Sequence, residues 1–220
     1  MKYQAVIFDW DGTLVDSVDH IATCLQLAAA ELNYPPRTLE QCRHIVGLGM
    51  VEALNLLYPG IQEAEMLALR KAYGVHFFAR ETLPENVFSG AHGMLDGLLS
   101  VGQRLAVATG KSRPGLDKGL HTSGLGPYFE LTRCADETAS KPDPTMLRQI
   151  LAAWDLPPEQ VIMVGDTSFD LEMAHRIGMP AVGVTWGGHQ RDSLQAWQPI
   201  AVVDEMQQLS RVLAGLSHSA

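Results

Sequence analysis

Short apolar runs alternate with helix-length stretches along most of the chain, and the runs stop abruptly at polar residues. Ala5-Val6-Ile7-Phe8 has no polar position, so residues 3–9 read as a buried strand. From residue 18 the spacing turns helical: Val18, Ile21, Ala22, Leu25, Leu27-Ala28 and Leu32 make an apolar stripe that Asn33-Tyr34-Pro35-Pro36 stops. Residues 39–46, 51–57 and 61–82 are also helix-like, separated by Gly47-Leu48-Gly49 and Tyr58-Pro59-Gly60. No strand pattern falls between residues 17 and 88. Beyond Pro84 the pattern predicts helices at 91–100, 112–123, 144–154, 168–177 and 205–214. Strands are predicted at 104–109, 130–133, 161–165, 181–185 and 200–203. Pro144 suits a helix start and Gly178 a helix stop.

Strands that alternate with helices and lack polar–apolar alternation predict a parallel sheet covered on both faces. The fold class is therefore α/β: a Rossmann-like core of residues 1–15 plus 88–220, with an all-helical domain of residues 16–87 inserted. Two crossings, near Asp16 and near residue 85, join the parts and suit a hinge. The tail from Ser217 is expected to fray.

Composition narrows the function classes. A formal net charge of −9 argues against nucleic-acid or anionic-membrane partners, so an anionic ligand would need a locally positive site. Cys24, Cys42 and Cys134 fit neither a disulfide framework nor a zinc pattern and read as reduced, buried thiols of a cytoplasmic protein. No stretch has the pattern of a signal peptide or the length of a transmembrane span.

The chemistry lies at the strand ends. The first strand runs into Asp9-Trp10-Asp11-Gly12-Thr13, the second into Thr109-Gly110-Lys111, and the fourth into Gly165-Asp166-Thr167-Ser168-Phe169-Asp170. Ser140-Lys141-Pro142-Asp143-Pro144 lies just upstream of the fourth. In a parallel sheet these ends share one edge, where open α/β sheets place their sites. Crowded carboxylates resist burial without a cation, and an all-oxygen set suits Mg²⁺. Carboxylates for a metal, with lysines and backbone amides for a phosphate, are what phosphoryl transfer requires.

These four motifs, in this order and on these elements, resemble the haloacid dehalogenase superfamily of aspartyl phosphotransferases. The helical insertion after the first motif resembles the cap domain of its phosphoglycolate phosphatase and β-phosphoglucomutase branch. The resemblance implies a Mg²⁺-dependent phosphatase acting on a small phosphorylated metabolite, with Asp9 as nucleophile. It makes Asp11 the proton donor and acceptor, and Thr109 and Lys141 the phosphoryl holders. It puts Mg²⁺ on Asp9, Asp166 and the backbone carbonyl of Asp11, with Asp170 ligating through water or orienting Lys141. Backbone N–H groups from Trp10 to Gly12 would reach the phosphate. A phosphomutase of the same fold is the nearest alternative, and a phospho-acceptor signalling module a more remote one. Asp11 and Asp166 argue against dehalogenation, because the dehalogenases lack the second acid and need no metal.

Other residues carry two readings. Lys111 is either a solvated loop lysine or a phosphate contact, and His20 either faces substrate or lies on a helix surface. Arg43 and His44 precede a cap turn that in this branch can face the site. Asp143 reads as a turn former, while Asp16 and Ser17 read as a helix start with N-capping. Trp186-Gly187-Gly188 forms a site rim or only a turn, and His76, His92, His121, His175 and His189 lack metal-ligand spacing. Two positions depart from the family pattern. Gly110 replaces the Asn found in many relatives, which puts the phosphoglycolate assignment in doubt. Trp10 is bulky for its place and would shrink the leaving-group pocket if it pointed to the cap. Oligomeric state is not encoded in any of these features.

Overall fold

The computed structural model describes residues 3–79 and 86–218. Its centre is a six-stranded, wholly parallel sheet in the order β3-β2-β1-β4-β5-β6. The strands are β1 (Ala5–Phe8), β2 (Arg104–Thr109), β3 (Leu131–Cys134), β4 (Val161–Gly165), β5 (Ala181–Val184) and β6 (Ala201–Val203). β1 lies between β2 and β4, with Phe8 level with Val107 on one side and Val164 on the other.

Period-two alternation sorts the strand residues onto two cores. Val6, Phe8, Leu105, Val107, Ile162, Val164, Val182 and Val184 face one way. There they meet α5 (Ala91–Ser100), α6 (Arg113–Ser123) and α10 (Met206–His218). Ala5, Ile7, Ala106, Ala108, Val161, Met163 and Ala181 face the other way, under α7 (Thr145–Trp154), α8 (Ser168–His175) and α9 (Arg191–Gln195). Burial on both faces is why β1, β4 and β5 show no polar positions. The short α9 is absent from the sequence reading, because its single buried position, Leu194, gives no period to detect.

The remaining helices, α1 (Val18–Glu31), α2 (Leu39–His44), α3 (Met50–Leu57) and α4 (Glu63–Ala79), pack around a third cluster of their own. Val18, Ile21, Ala22, Leu25 and Ala28 of the expected stripe are buried there, while Leu27 is turned outward. α2 starts on Thr38, whose hydroxyl accepts the Gln41 N–H at 3.1 Å. Residues 14–16 lie beside residues 86–88. The Asp16 N–H donates to Asn86 O at 2.7 Å and the Phe88 N–H to Leu14 O at 3.0 Å. The predicted end of the fourth helix at 80–82 and the crossing near residue 85 lie outside the described residues. At the C-terminus the helix continues through the expected fraying point to His218, and residues 219–220 lie outside the description. All three cysteines are buried and none is in a disulfide, and burial pushes the Cys134 thiol up to about 12. No helix among the described residues is long and apolar enough to cross a membrane.

Candidate active site

Parallel register brings the polar strand ends to one edge. Asp9 directly follows β1 and still pairs with its neighbour, its N–H donating to Val164 O at 2.9 Å. Thr109 closes β2, Asp166 follows the last residue of β4, and Asp170 lies in the first turn of α8. Lys141 comes from the loop between β3 and α7. These five side chains, and Asp11, are all buried.

Lys141 is the hub. Its Nζ lies 2.7 Å from Asp9 Oδ1 and 2.6 Å from Asp170 Oδ1. Asp9 Oδ1 also accepts the Trp10 N–H at 2.7 Å. Asp170 Oδ2 accepts the Thr167 hydroxyl at 2.6 Å and its N–H at 3.2 Å. Asp166 is held by the Thr13 hydroxyl on one oxygen and by the Gly188 N–H on the other, both at 2.7 Å. Asp9 Oδ2 is buried with no hydrogen-bond partner among the described residues.

One carboxylate oxygen from each of Asp9, Asp166 and Asp170 falls within 4.8 Å of the others. Three buried carboxylates thus share one buried ammonium, and the imbalance shows in their protonation. Burial raises the Asp9 carboxyl well above its usual range; Lys141 pulls it down, while Asp170 and Asp166 push it up. Asp166 is pushed up to about 7 by burial and by Asp170, despite its two hydrogen bonds. Burial opposes the charge of Lys141, yet Asp170 and Asp9 together hold it above the usual lysine range. Three buried carboxylates that offer only oxygen donors suit a small hard dication such as Mg²⁺. The Asp11 side chain is not part of this cluster.

Asp11 instead forms a second constellation. Its Oδ1 accepts the Ser17 hydroxyl at 2.6 Å, and Lys111 Nζ lies 2.9 and 3.0 Å from its two oxygens. Ser17 therefore serves Asp11 and makes no side-chain cap on α1, contrary to the N-cap reading. Lys111 is neither solvated nor free for an anion: it is ion-paired to Asp11 and lies 4.7 Å from the centre of the Phe77 ring. Thr109 does not cap α6, which starts on Ser112; its hydroxyl accepts the Lys111 N–H at 3.2 Å.

Several expected contacts are not formed. Trp10 does not face the inserted helices. It is buried in the core beside Phe8, edge-on to Phe129 at 6.4 Å, because it shares the strand parity of Val6 and Phe8. Arg43 is turned to the surface, where its guanidinium pairs with Asp19 at 2.5 Å. His20 packs on the Phe77 ring at 5.2 Å, with Nε2 3.3 Å from Phe77 O, and does not line the cavity beside Asp11. The Gly12 N–H donates to Val15 O at 2.8 Å, and the Trp10 N–H is taken by Asp9, so neither points freely at a ligand. Gly12 matters for another reason. It has φ +79°, and a Cβ there would lie 2.2 Å from Asp166 Oδ2. Asp143 accepts from the Thr145 N–H and hydroxyl at the start of α7, as a turn former should.

The inserted helices sit directly on this edge. The Gly49 N–H donates to Ser140 Oγ at 2.7 Å, and His189 Nε2 lies 2.9 Å from His44 O. At Gly110 a Cβ would come within 2.3 Å of Gly47 O and 2.6 Å of Leu48 O. The departure from Asn thus has a local cause: the turn at 47–49 occupies the space an Asn side chain would need. Between the turn, α4 and Asp11 lies a cavity of about 380 Å³. Gly188, read from the sequence as site rim or turn, supports Asp166, while Thr13, Ser17 and His189 are site-supporting residues that the sequence reading did not assign. Only Thr13, inside the first motif, carried a signal there.

Comparison with known proteins agrees with this architecture. The model of the haloacid dehalogenase-like hydrolase family matches residues 6–184. Probable phosphatase IndB of Dickeya dadantii is 37% identical over 205 residues, covering 90% of this chain and 88% of that protein. A phosphoglycolate phosphatase of Aliivibrio fischeri is 30% identical over 217 residues, covering 95% and 96%. Among solved structures, a β-phosphoglucomutase of Clostridium difficile superposes with a TM-score of 0.84 at 17% identity, covering 98% of this chain and 97% of that one. With a family match across most of its length and the Asp9–Lys141–Asp170 core in place, the chain belongs to the haloacid dehalogenase-like hydrolases.

Proposed function

We propose that this protein is a Mg²⁺-dependent phosphatase of small phosphate monoesters that works through an aspartyl phosphate on Asp9, with residues 16–87 as its cap domain. The observation that carries the reading is Asp9 itself. One of its oxygens is fixed by Lys141 and the Trp10 N–H; the other is buried and unclaimed. A carboxylate held by one oxygen is an oriented nucleophile.

Asp9 attacks phosphorus, and the bond from phosphorus to the ester oxygen breaks. Asp11 gives its proton to the departing alkoxide, then takes one from the water that attacks the aspartyl phosphate. The resting ion pair of Asp11 with Lys111 fits this cycle if Lys111 transfers to the incoming phosphoryl oxygens, leaving Asp11 to hold a proton. Thr109 and Lys141 hold the remaining phosphoryl oxygens, and Asp170 keeps Lys141 aimed at Asp9. Mg²⁺, carried by Asp9, Asp166 and the Asp11 backbone carbonyl, would neutralise charge on the phosphoryl group. The turn at 47–49, seated over Gly110, limits water at the reacting atoms.

The test is a phosphate-release screen across metabolite monoesters, including phosphoglycolate and sugar phosphates. Release of inorganic phosphate, lost in Asp9→Asn and after EDTA, is the expected result. Isomerised monoester in place of phosphate would make the protein a mutase. Activity persisting in Asp9→Asn would remove the nucleophile, and activity indifferent to EDTA would remove the metal.

A further inference from the structure

The cavity beside Asp11 has one wall unlike the rest. Arg70, Tyr73, Gly74, Phe77 and Phe78 of α4 line it at spacings of three and four, so a single helix face is turned toward the site. Tyr73 and Phe77 stack at 5.4 Å with 23° between their planes, and Phe78 meets Phe77 edge-on at 5.3 Å. Across the gap, Lys111 approaches the Phe77 ring and Lys118 the Phe78 ring, the latter at 5.3 Å. Gly74 lies between the two stacked rings in sequence, and a Cβ there would meet nothing within 4 Å. A mid-helix glycine weakens a helix. Here it widens the cavity where the aromatic face is otherwise bulkiest.

The charged groups of the lining differ in what already pairs with them. Asp11 and Lys111 line one part of the cavity. Arg70, also in the lining, is exposed and forms no ion pair among the described residues. If Asp11 protonates the leaving oxygen, the alcohol must occupy this space, so the identity of that alcohol rests on the phosphatase reading. At about 380 Å³ the space falls in the lower part of the range of small-molecule pockets. A two-carbon alcohol would leave most of it filled by water lying on aromatic rings, an unfavourable arrangement. A polyol would set hydroxyl groups against ring faces that offer few partners.

We infer that the leaving group is an alcohol carrying a planar aromatic or heteroaromatic ring, which stacks on the Tyr73–Phe77 face of α4 in the space left by Gly74. Offset stacking on an electron-rich face favours a flat ring over a saturated one of equal size. Arg70 supplies a cation for a polar substituent at the outer end of such a ring.

The test compares benzylphosphonate with cyclohexylmethylphosphonate and methylphosphonate, none of them hydrolysable, by calorimetry on the Mg²⁺-loaded protein. The flat ring is expected to bind about five-fold tighter than the saturated one, the scale of one added aromatic pair. Gly74→Leu should lower benzylphosphonate affinity roughly ten-fold by filling the space. Phe77→Leu, which keeps the cavity apolar, should erase the preference for the flat ring. Equal binding of the two rings by the wild-type protein overturns the inference, as does a preference that survives both variants in folded form. Phosphate release from benzyl phosphate, followed in parallel, separates the two claims. Ring-selective binding without release retains the ring site and removes the phosphatase. Release from methyl phosphate without ring selectivity does the reverse.

Discussion

Replacing Lys141 by Met removes the only ammonium from a cluster of three buried carboxylates. The shape of the stem is largely kept, so the loss is mainly electrostatic. Breaking a buried ion pair by deleting one partner costs about 3–5 kcal/mol, because the other charge is left stranded. In a 220-residue chain each kcal/mol corresponds to about 2–4 °C, which puts the loss of melting temperature at roughly 6–20 °C. The sign with pH is fixed by the same geometry. Asp9 and Asp166 already sit above their unfolded values, so the folded chain holds protons that the unfolded chain releases. Stability contributed by such groups falls as pH rises between the unfolded and folded values. Without Lys141 the folded values climb further and this penalty grows. Lys141→Met should therefore be least harmful near pH 5.5 and most harmful near pH 8, the window set by linkage. Differential scanning calorimetry of both proteins across that range, with EDTA present, reads the effect. A loss of stability independent of pH would refute the electrostatic account and leave only a packing defect.

Neighbouring features carry two more expected outcomes. Mg²⁺ should raise the melting temperature more at pH 8 than at pH 5.5, since Asp166, pushed up to about 7, must lose its proton to ligate; a uniform shift across pH would remove Asp166 from the ligand set. Gly110→Asn should unseat the turn at 47–49, because its Cβ alone would approach Gly47 O to 2.3 Å. Faster amide exchange at residues 47–49, with the exchange of β1 and β4 unchanged, is the expected signature, and an unaltered turn would contradict it.

The sheet and its edge chemistry were legible because β1, β2 and β4 are short apolar runs that end on, or one residue before, a functional residue. Asp9, Thr109 and Asp166 need only parallel register to meet, and burial on both faces announces that register. Lys141 was gathered through its place just upstream of the fourth strand and given its role by the family motif, since a loop lysine has no pattern of its own. What failed was orientation. Trp10 sits between two acids, but the alternation of Val6 and Phe8 already assigned it to the core. Arg43 and His20 lie on helices whose facing partners are set by tertiary packing, with Asp19 and Phe77 competing for them locally. Lys111 lies far in sequence from Ser17 and Asp11, so their hydrogen-bonded cluster had no local trace. The same holds for the cap turn over Gly110: the missing Asn was visible, and its cause lay in the distant 47–49 turn.

The central claim is that Asp9 carries the phosphoryl group. Acid quenching the enzyme during turnover of a monoester that it hydrolyses, then reducing with borohydride, converts an aspartyl phosphate to homoserine. Peptide mass spectrometry should find homoserine at position 9, dependent on substrate and on Mg²⁺, and nowhere else. Phosphate release with an unmodified Asp9, or homoserine at position 11 in its place, would contradict the account.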